Sequence, residues 1–146
     1  MHNSSSEKIF LLAEDDKDDR ELFHEALSGI NTNIILYCTE NGSEALDKLV
    51  NLHKKPHLIF LDINMPVMNG WQCLKQIKDD PNYRQIPVIV YSTSSHQKER
   101  DFAMDLGAIH FFSKPDDFQQ WKEILERIVN NLEGGLYDTA PAVGKT

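Results

Sequence analysis

The sequence is short of basic side chains, of cysteine and of long apolar runs. Over 146 residues, 15 Lys and Arg stand against 23 Asp and Glu, a formal charge of -8. Non-specific nucleic-acid binding needs a basic surface, so this balance argues against it. It fits a cation site or a basic protein partner. The 2 cysteines, Cys38 and Cys73, both lie in apolar-periodic segments. They are expected to be buried free thiols in a reducing cytoplasm, not a disulfide. No apolar run approaches the roughly 20 residues needed to cross a bilayer. The opening "MHNSSSEK" lacks the apolar segment of a secretory signal. The 6 histidines (His2, His24, His53, His57, His96 and His110) are scattered without metal-ligand spacing.

What is present is a regular alternation. Short apolar runs of strand length occur at Ile9–Ala13, Ile34–Cys38, Leu58–Leu61, Val88–Tyr91 and Ile109–Phe112. Such runs suit strands buried on both faces of a parallel sheet. Between and after them lie amphipathic stripes at helical spacing: Leu22, Phe23, Ala26 and Leu27; Ala45, Leu46, Leu49 and Val50; Trp71, Leu74 and Ile77; and Phe102, Ala103 and Leu106. The clearest is Trp121, Ile124, Leu125, Ile128, Val129 and Leu132. Ser94 with Gln97, and Asp117 with Gln120, have capping-box spacing. Gly29 and Gly107 stand where helices should stop. Five βα units in succession predict an α/β fold, a parallel five-stranded sheet with helices on both faces. Residues 7–132 should form this single domain, after a frayed N-terminus, residues 1–6, and before a flexible tail, residues 133–146.

Ligands of open α/β sheets bind outside the carboxyl ends of the strands. Here the first strand runs into Glu14-Asp15-Asp16, the third into Asp62, the fourth into Ser92-Thr93 and the fifth into Ser113-Lys114-Pro115. In the strand order 2-1-3-4-5 these four would be neighbours. Clustered carboxylates repel, and a cation or protonation must relieve them. Hard oxygen ligands with room for water suit Mg²⁺. A lysine and a hydroxyl beside the metal would neutralise a phosphoryl group in transfer. A central carboxylate could be the nucleophile, and Asp62 is the best placed.

Taken together, "LLAEDDKDDR", "LIFLDINMPVMNG", "PVIVYSTSS" and "FFSKP" resemble, in order and spacing, the receiver domain of two-component response regulators. Within that family the sequence looks most like the single-domain receivers, such as those partnered with bacterial phytochromes. The resemblance implies a flavodoxin-like (βα)5 fold with strand order 2-1-3-4-5 and Asp62 as phosphoacceptor. Asp15 would ligate Mg²⁺ directly, Glu14 would act through water, and Asn64 would offer its backbone carbonyl. Ser92 would be the switch hydroxyl, and Thr93 would give its backbone N–H to the phosphoryl group. Lys114 would bind that group and precede Pro115 through a cis peptide bond. Phe111 would be the aromatic switch, turning inward on phosphorylation. The implied partners are a histidine kinase or histidine phosphotransfer protein and a downstream protein target, with no nucleic acid and no membrane; a homodimer is left open. Such a domain catalyses only its own phosphorylation and dephosphorylation.

The sequence departs from the commonest family pattern at four places. Ser92 replaces threonine, Thr93 stands where alanine is frequent, Phe111 lacks a phenol oxygen, and Asp116 stands where an aromatic is common. Asp16, Asp18 and Asp19 read as an exposed first helical turn, where acids suit the dipole. Trp71 and Trp121 read as helix-face packing, or as a partner surface where exposed. Rival readings are weaker on the residues. An aspartyl-nucleophile hydrolase commonly has a second acid two positions on, where this chain has Asn64. A flavin carrier needs a phosphate loop that Glu14-Asp15-Asp16 would repel. A scaffold that accepts no phosphate would not need every one of these groups.

Overall fold

The computed structural model describes residues 7–30, 33–94 and 96–138. The predicted N-terminal segment 1–6 and positions 139–146 of the predicted tail lie outside the described residues. The strands are β1 (Lys8–Ala13), β2 (Ile34–Thr39), β3 (Leu58–Asp62), β4 (Val88–Ser92) and β5 (His110–Ser113). The helices are α1 (Lys17–Ser28), α2 (Gly42–Asn51), α3 (Gly70–Asp79), α4 (Gln97–Asp105) and α5 (Phe118–Glu133). All strand pairs are parallel, as the βα alternation predicts, and the sheet order is β2-β1-β3-β4-β5, as the family resemblance implies.

Period-two alternation within each strand splits the core into two layers. Leu11, Ala13, Ile59, Leu61, Val88 and Val90 face α2, α3 and α4. Phe10, Leu12, Leu58, Phe60, Ile89 and Tyr91 face α1 and α5. The second layer is aromatic. Phe23 of α1 meets Phe60 and Trp121 of α5 edge-on at ring-centroid distances of 4.9 and 5.5 Å. Such pairs add about 0.5–1.5 kcal/mol each beyond their burial. Trp121 is fully buried, whereas Trp71 is partly exposed and meets Phe102 edge-on at 4.8 Å. Tyr137, beyond the end of α5, packs on the α1–α5 layer, and its hydroxyl accepts from Asn131 Nδ2 at 3.2 Å.

Some local expectations are corrected. β2 is an edge strand and only half-buried along most of its length, so Cys38 is exposed while Cys73 is buried. A run that is apolar in sequence thus covers the sheet with one side open to solvent. Ser94 does not cap α4. His96 stands at the N-cap with no side-chain bond, and the Ser94 hydroxyl instead accepts from His96 N at 3.2 Å in a local turn. Asp117 does cap α5, accepting from Gln120 N at 2.9 Å, but the Gln120 side chain accepts from Asp116 N, not from Asp117 N. A complete capping box occurs at α3, where Asn69 and Gln72 exchange both bonds.

Candidate functional site

The sheet's switch of strand order lies between β1 and β3, and the acids sit on either side of it. Glu14 and Asp15 follow β1, and Asp62 is the last residue of β3. One carboxylate oxygen from each of the three lies within 4.8 Å of the others. Glu14 is fully buried and Asp62 is 3% exposed, while Asp15 is open to solvent. The β3–β4 register sets Asp62 beside Tyr91, one residue before Ser92. Asp62, Asp15, Asn64, Thr93 and Lys114 line a shallow cleft of about 380 Å³.

The turn after Asp62 is built for a close approach. A Cβ on Gly70 would lie 2.5 Å from the Asp62 carbonyl oxygen, so only glycine lets α3 begin there. Gly70 N donates to Ile63 O at 2.9 Å, tying the helix start to the strand end. Asn64 N donates to Asp62 Oδ1 at 3.4 Å. At the tip, Val67 has φ +67° and is 82% exposed, with Met68 N donating to Pro66 O at 2.6 Å. A β-branched residue at positive φ is strained.

Lys114 is the site's cation. Its Nζ lies 2.8 Å from Asp19 Oδ2, 3.2 Å from Glu14 Oε1 and 3.7 Å from Asp62 Oδ2. Burial alone would push its ammonium down; the Asp19 hydrogen bond and the charges of Glu14 and Asp62 outweigh burial and hold it above its ordinary value. Burial, and next the Glu14 carboxylate, push the Asp62 carboxyl up to about 7, against the opposing pull of Lys114. Glu14 is fixed from three sides: Asp16 N donates to Oε2 at 2.9 Å, and Tyr91 Oη at 2.7 Å and Lys114 share Oε1. The donor set is three hard carboxylate oxygens, partly open to water, with one ammonium already placed opposite. That fits a hard divalent cation retaining several waters.

Two expectations for the acidic run change. Asp16 is the N-cap of α1, accepting from Asp19 N at 3.1 Å. Asp19 is no solvated face residue; it is the shortest ion-pair partner of Lys114. Its spacing from Glu14 was visible, but a helical-turn acid carries no mark of which cation it meets. Tyr91 was likewise missed, because in sequence it is only the end of an apolar run.

Ser92 is buried at the end of β4, and its Oγ accepts from Ser94 N at 3.1 Å. Thr93 is exposed beside it. Phe111 is 1% exposed and packs in the α2–α3–α4 layer, with the Arg100 guanidinium 5.5 Å from its ring. Its ring is therefore already inward; without a phenol oxygen, nothing polar draws it to the surface. No described peptide bond is cis, so Lys114–Pro115 is trans, against the expectation.

The response regulator receiver domain family matches residues 10–126, and the chain belongs to that family, whose members are signalling modules of two-component systems. Response regulator Rcp1 of Synechocystis sp. is 33% identical over 141 residues, covering 93% of each chain. The phosphorylated cyanobacterial phytochrome response regulator RcpA is similar with a TM-score of 0.80 at 30% identity, over 88% of this chain and 95% of its own. The Mn²⁺-bound form of Rcp1 is similar with a TM-score of 0.75 at 27% identity, over 92% and 97% of the two chains. The chain spans about a quarter of the length of the methylesterases and transcriptional regulators that it also matches. No described helix is long and apolar enough to cross a membrane.

Proposed function

We propose that the protein accepts a phosphoryl group on Asp62 from a phosphohistidine of a histidine kinase or histidine phosphotransfer protein, and signals the change to a downstream protein. One observation carries the proposal. A buried carboxylate at the end of the central strand stands between an acidic pair, Glu14 and Asp15, and a single ammonium, Lys114.

An ionised Asp62 oxygen attacks phosphorus; the O–P bond forms as the P–N bond breaks, and the imidazole leaves with the electron pair. Lys114 turns from Glu14 toward the phosphoryl oxygens and offsets their charge. Asp15, Asp62 and the Asn64 carbonyl would hold Mg²⁺, and Glu14 would act through water. When bound, the ion would supply a second positive charge beside that of Lys114. The backbone N–H of Thr93 donates to a phosphoryl oxygen.

Ser92 then exchanges its bond to Ser94 N for one to the phosphoryl group. The β4–α4 segment follows, repacking Phe111 and the surface of α4, β5 and α5. This is a shift between two packings of one chain. Phe111 acts through packing alone. The output is by protein contact, in the cytoplasm.

The test is phosphate transfer from candidate kinases in Mg²⁺, comparing wild type with Asp62→Ala. Labelling of the wild type alone supports the assignment. Equal labelling of Asp62→Ala overturns it.

A further inference from the structure

Tyr91 is the one fully buried side chain of β4 that touches the acidic site. Its ring stacks on Phe112 at 5.3 Å and meets Trp121 of α5 edge-on at 5.5 Å. Its hydroxyl leaves this apolar layer to donate to Glu14 Oε1 at 2.7 Å, and Lys114 Nζ lies 5.6 Å from the ring centroid. Glu14 Oε1 thus has two donors of different kinds. Lys114 also pairs with Asp19 and reaches toward Asp62, whereas Tyr91 is held by aromatic packing on two sides.

That difference matters when charge arrives. A phosphoryl group on Asp62 requires Lys114 to turn away from Glu14. A buried carboxylate oxygen that loses its only donor is left desolvated with no bond in exchange, which is costly. With Tyr91 in place, Oε1 stays bonded when Lys114 leaves. Without the hydroxyl, Glu14 would hold Lys114 more tightly, and the ammonium would compete with any cation entering the cluster. The carboxylate would also lose the bond that sets its orientation.

We infer that Tyr91 is a positioning residue of the acidic site: its hydroxyl orients Glu14 and releases Lys114, so that the cluster takes a divalent cation and then a phosphoryl group. The inference rests on the phosphoacceptor reading above. It assigns to the aromatic α1–α5 layer a direct hold on the site, separate from the Ser92 and Phe111 side of the sheet.

The experiment is Mn²⁺ binding to the full chain, followed by electron paramagnetic resonance of free Mn²⁺, for wild type, Tyr91→Phe, Glu14→Gln and the double variant. Tyr91→Phe keeps the ring and removes only the donor, and far-UV circular dichroism confirms its fold. Outer-sphere partners of metal ligands are typically worth 10–100-fold in affinity; Glu14, acting through water, is such a partner and Tyr91 orients it, so the low end of that range applies. Tyr91→Phe should bind Mn²⁺ about tenfold more weakly than wild type, and the same change made in Glu14→Gln should have less than a twofold effect. A loss of packing alone would act equally in both backgrounds. If wild type binds Mn²⁺ and Tyr91→Phe binds it equally well, the inference is overturned while the phosphoacceptor reading stands. If Tyr91→Phe does not fold, 4-aminophenylalanine at position 91, which keeps the ring and a para N–H donor at the place of the hydroxyl, should bind within threefold of wild type, and failure to do so overturns the inference. If wild type binds no Mn²⁺, the metal reading falls and this inference with it.

Discussion

Removing the charge of Asp62 should stabilise the metal-free protein. The native fold holds this carboxyl up to about 7, from an ordinary 3.8, chiefly by burial and then by the neighbouring Glu14. At about 1.36 kcal/mol per pKa unit, that displacement corresponds to a penalty of about 4 kcal/mol for an ionised Asp62. The pull of Lys114 at 3.7 Å is already contained in that displacement, and relaxation around the cleft absorbs a share of the penalty. A net gain of about 1–3 kcal/mol remains. The sign follows from proton binding. Between about pH 4 and 7 the native state holds the Asp62 proton more tightly than the unfolded chain does. The penalty is therefore absent below about pH 4, grows through that window and is complete above about 7. Urea unfolding in EDTA, followed by far-UV circular dichroism, should find Asp62→Asn more stable than wild type at about pH 8. The gap should shrink to less than half at about pH 5. A less stable variant at pH 8, or a gap independent of pH, would refute the reasoning. Adding a divalent cation should narrow the gap, because it binds the wild-type acids and stabilises only the folded form.

Lys114→Gln should have the opposite effect, costing about 3–5 kcal/mol at neutral pH, because it leaves the buried Glu14 and Asp62 without their counter-charge; thermal unfolding reads this directly. Val67→Gly should raise stability by about 1 kcal/mol, since glycine accepts the positive φ that valine is forced into, and an unchanged or lower urea midpoint would count against strain there. Native protein should show one fast-reacting thiol with a disulfide reagent, Cys38, while Cys73, buried and with its thiol pushed up to about 12, should react only on unfolding. Gly70→Ala should destabilise by more than about 2 kcal/mol, because its Cβ would meet the Asp62 carbonyl oxygen.

Much of this was legible before folding. All five strands lie within a residue of the predicted apolar runs, unbroken βα alternation implied the parallel sheet, and the family resemblance implied its strand order. Apolar periodicity reports burial directly, so these were local signals. The local signal failed where a long-range partner decides the outcome. Ser94 has capping spacing, but its hydroxyl bonds His96 N in a turn that begins at Ser92. Cys38 sits in an apolar run, yet its strand is the sheet edge.

By itself the sequence determined which chemistry each strand end carries: Glu14-Asp15, Asp62, Ser92 and Lys114 arrive at one edge because parallel strands all point their carboxyl ends the same way. Only the tertiary structure decided how those groups share partners. Asp19 on α1 and Tyr91 on β4 are separated from Lys114 and Glu14 by 95 and 77 residues, yet each makes a bond under 3 Å with its partner. Hydrogen bonds and ion pairs act over a few ångströms in space and leave no periodicity in the chain. Which acid faces the lysine, and which hydroxyl holds the glutamate, is set by helix placement and strand register, and these exist only once the sheet has formed.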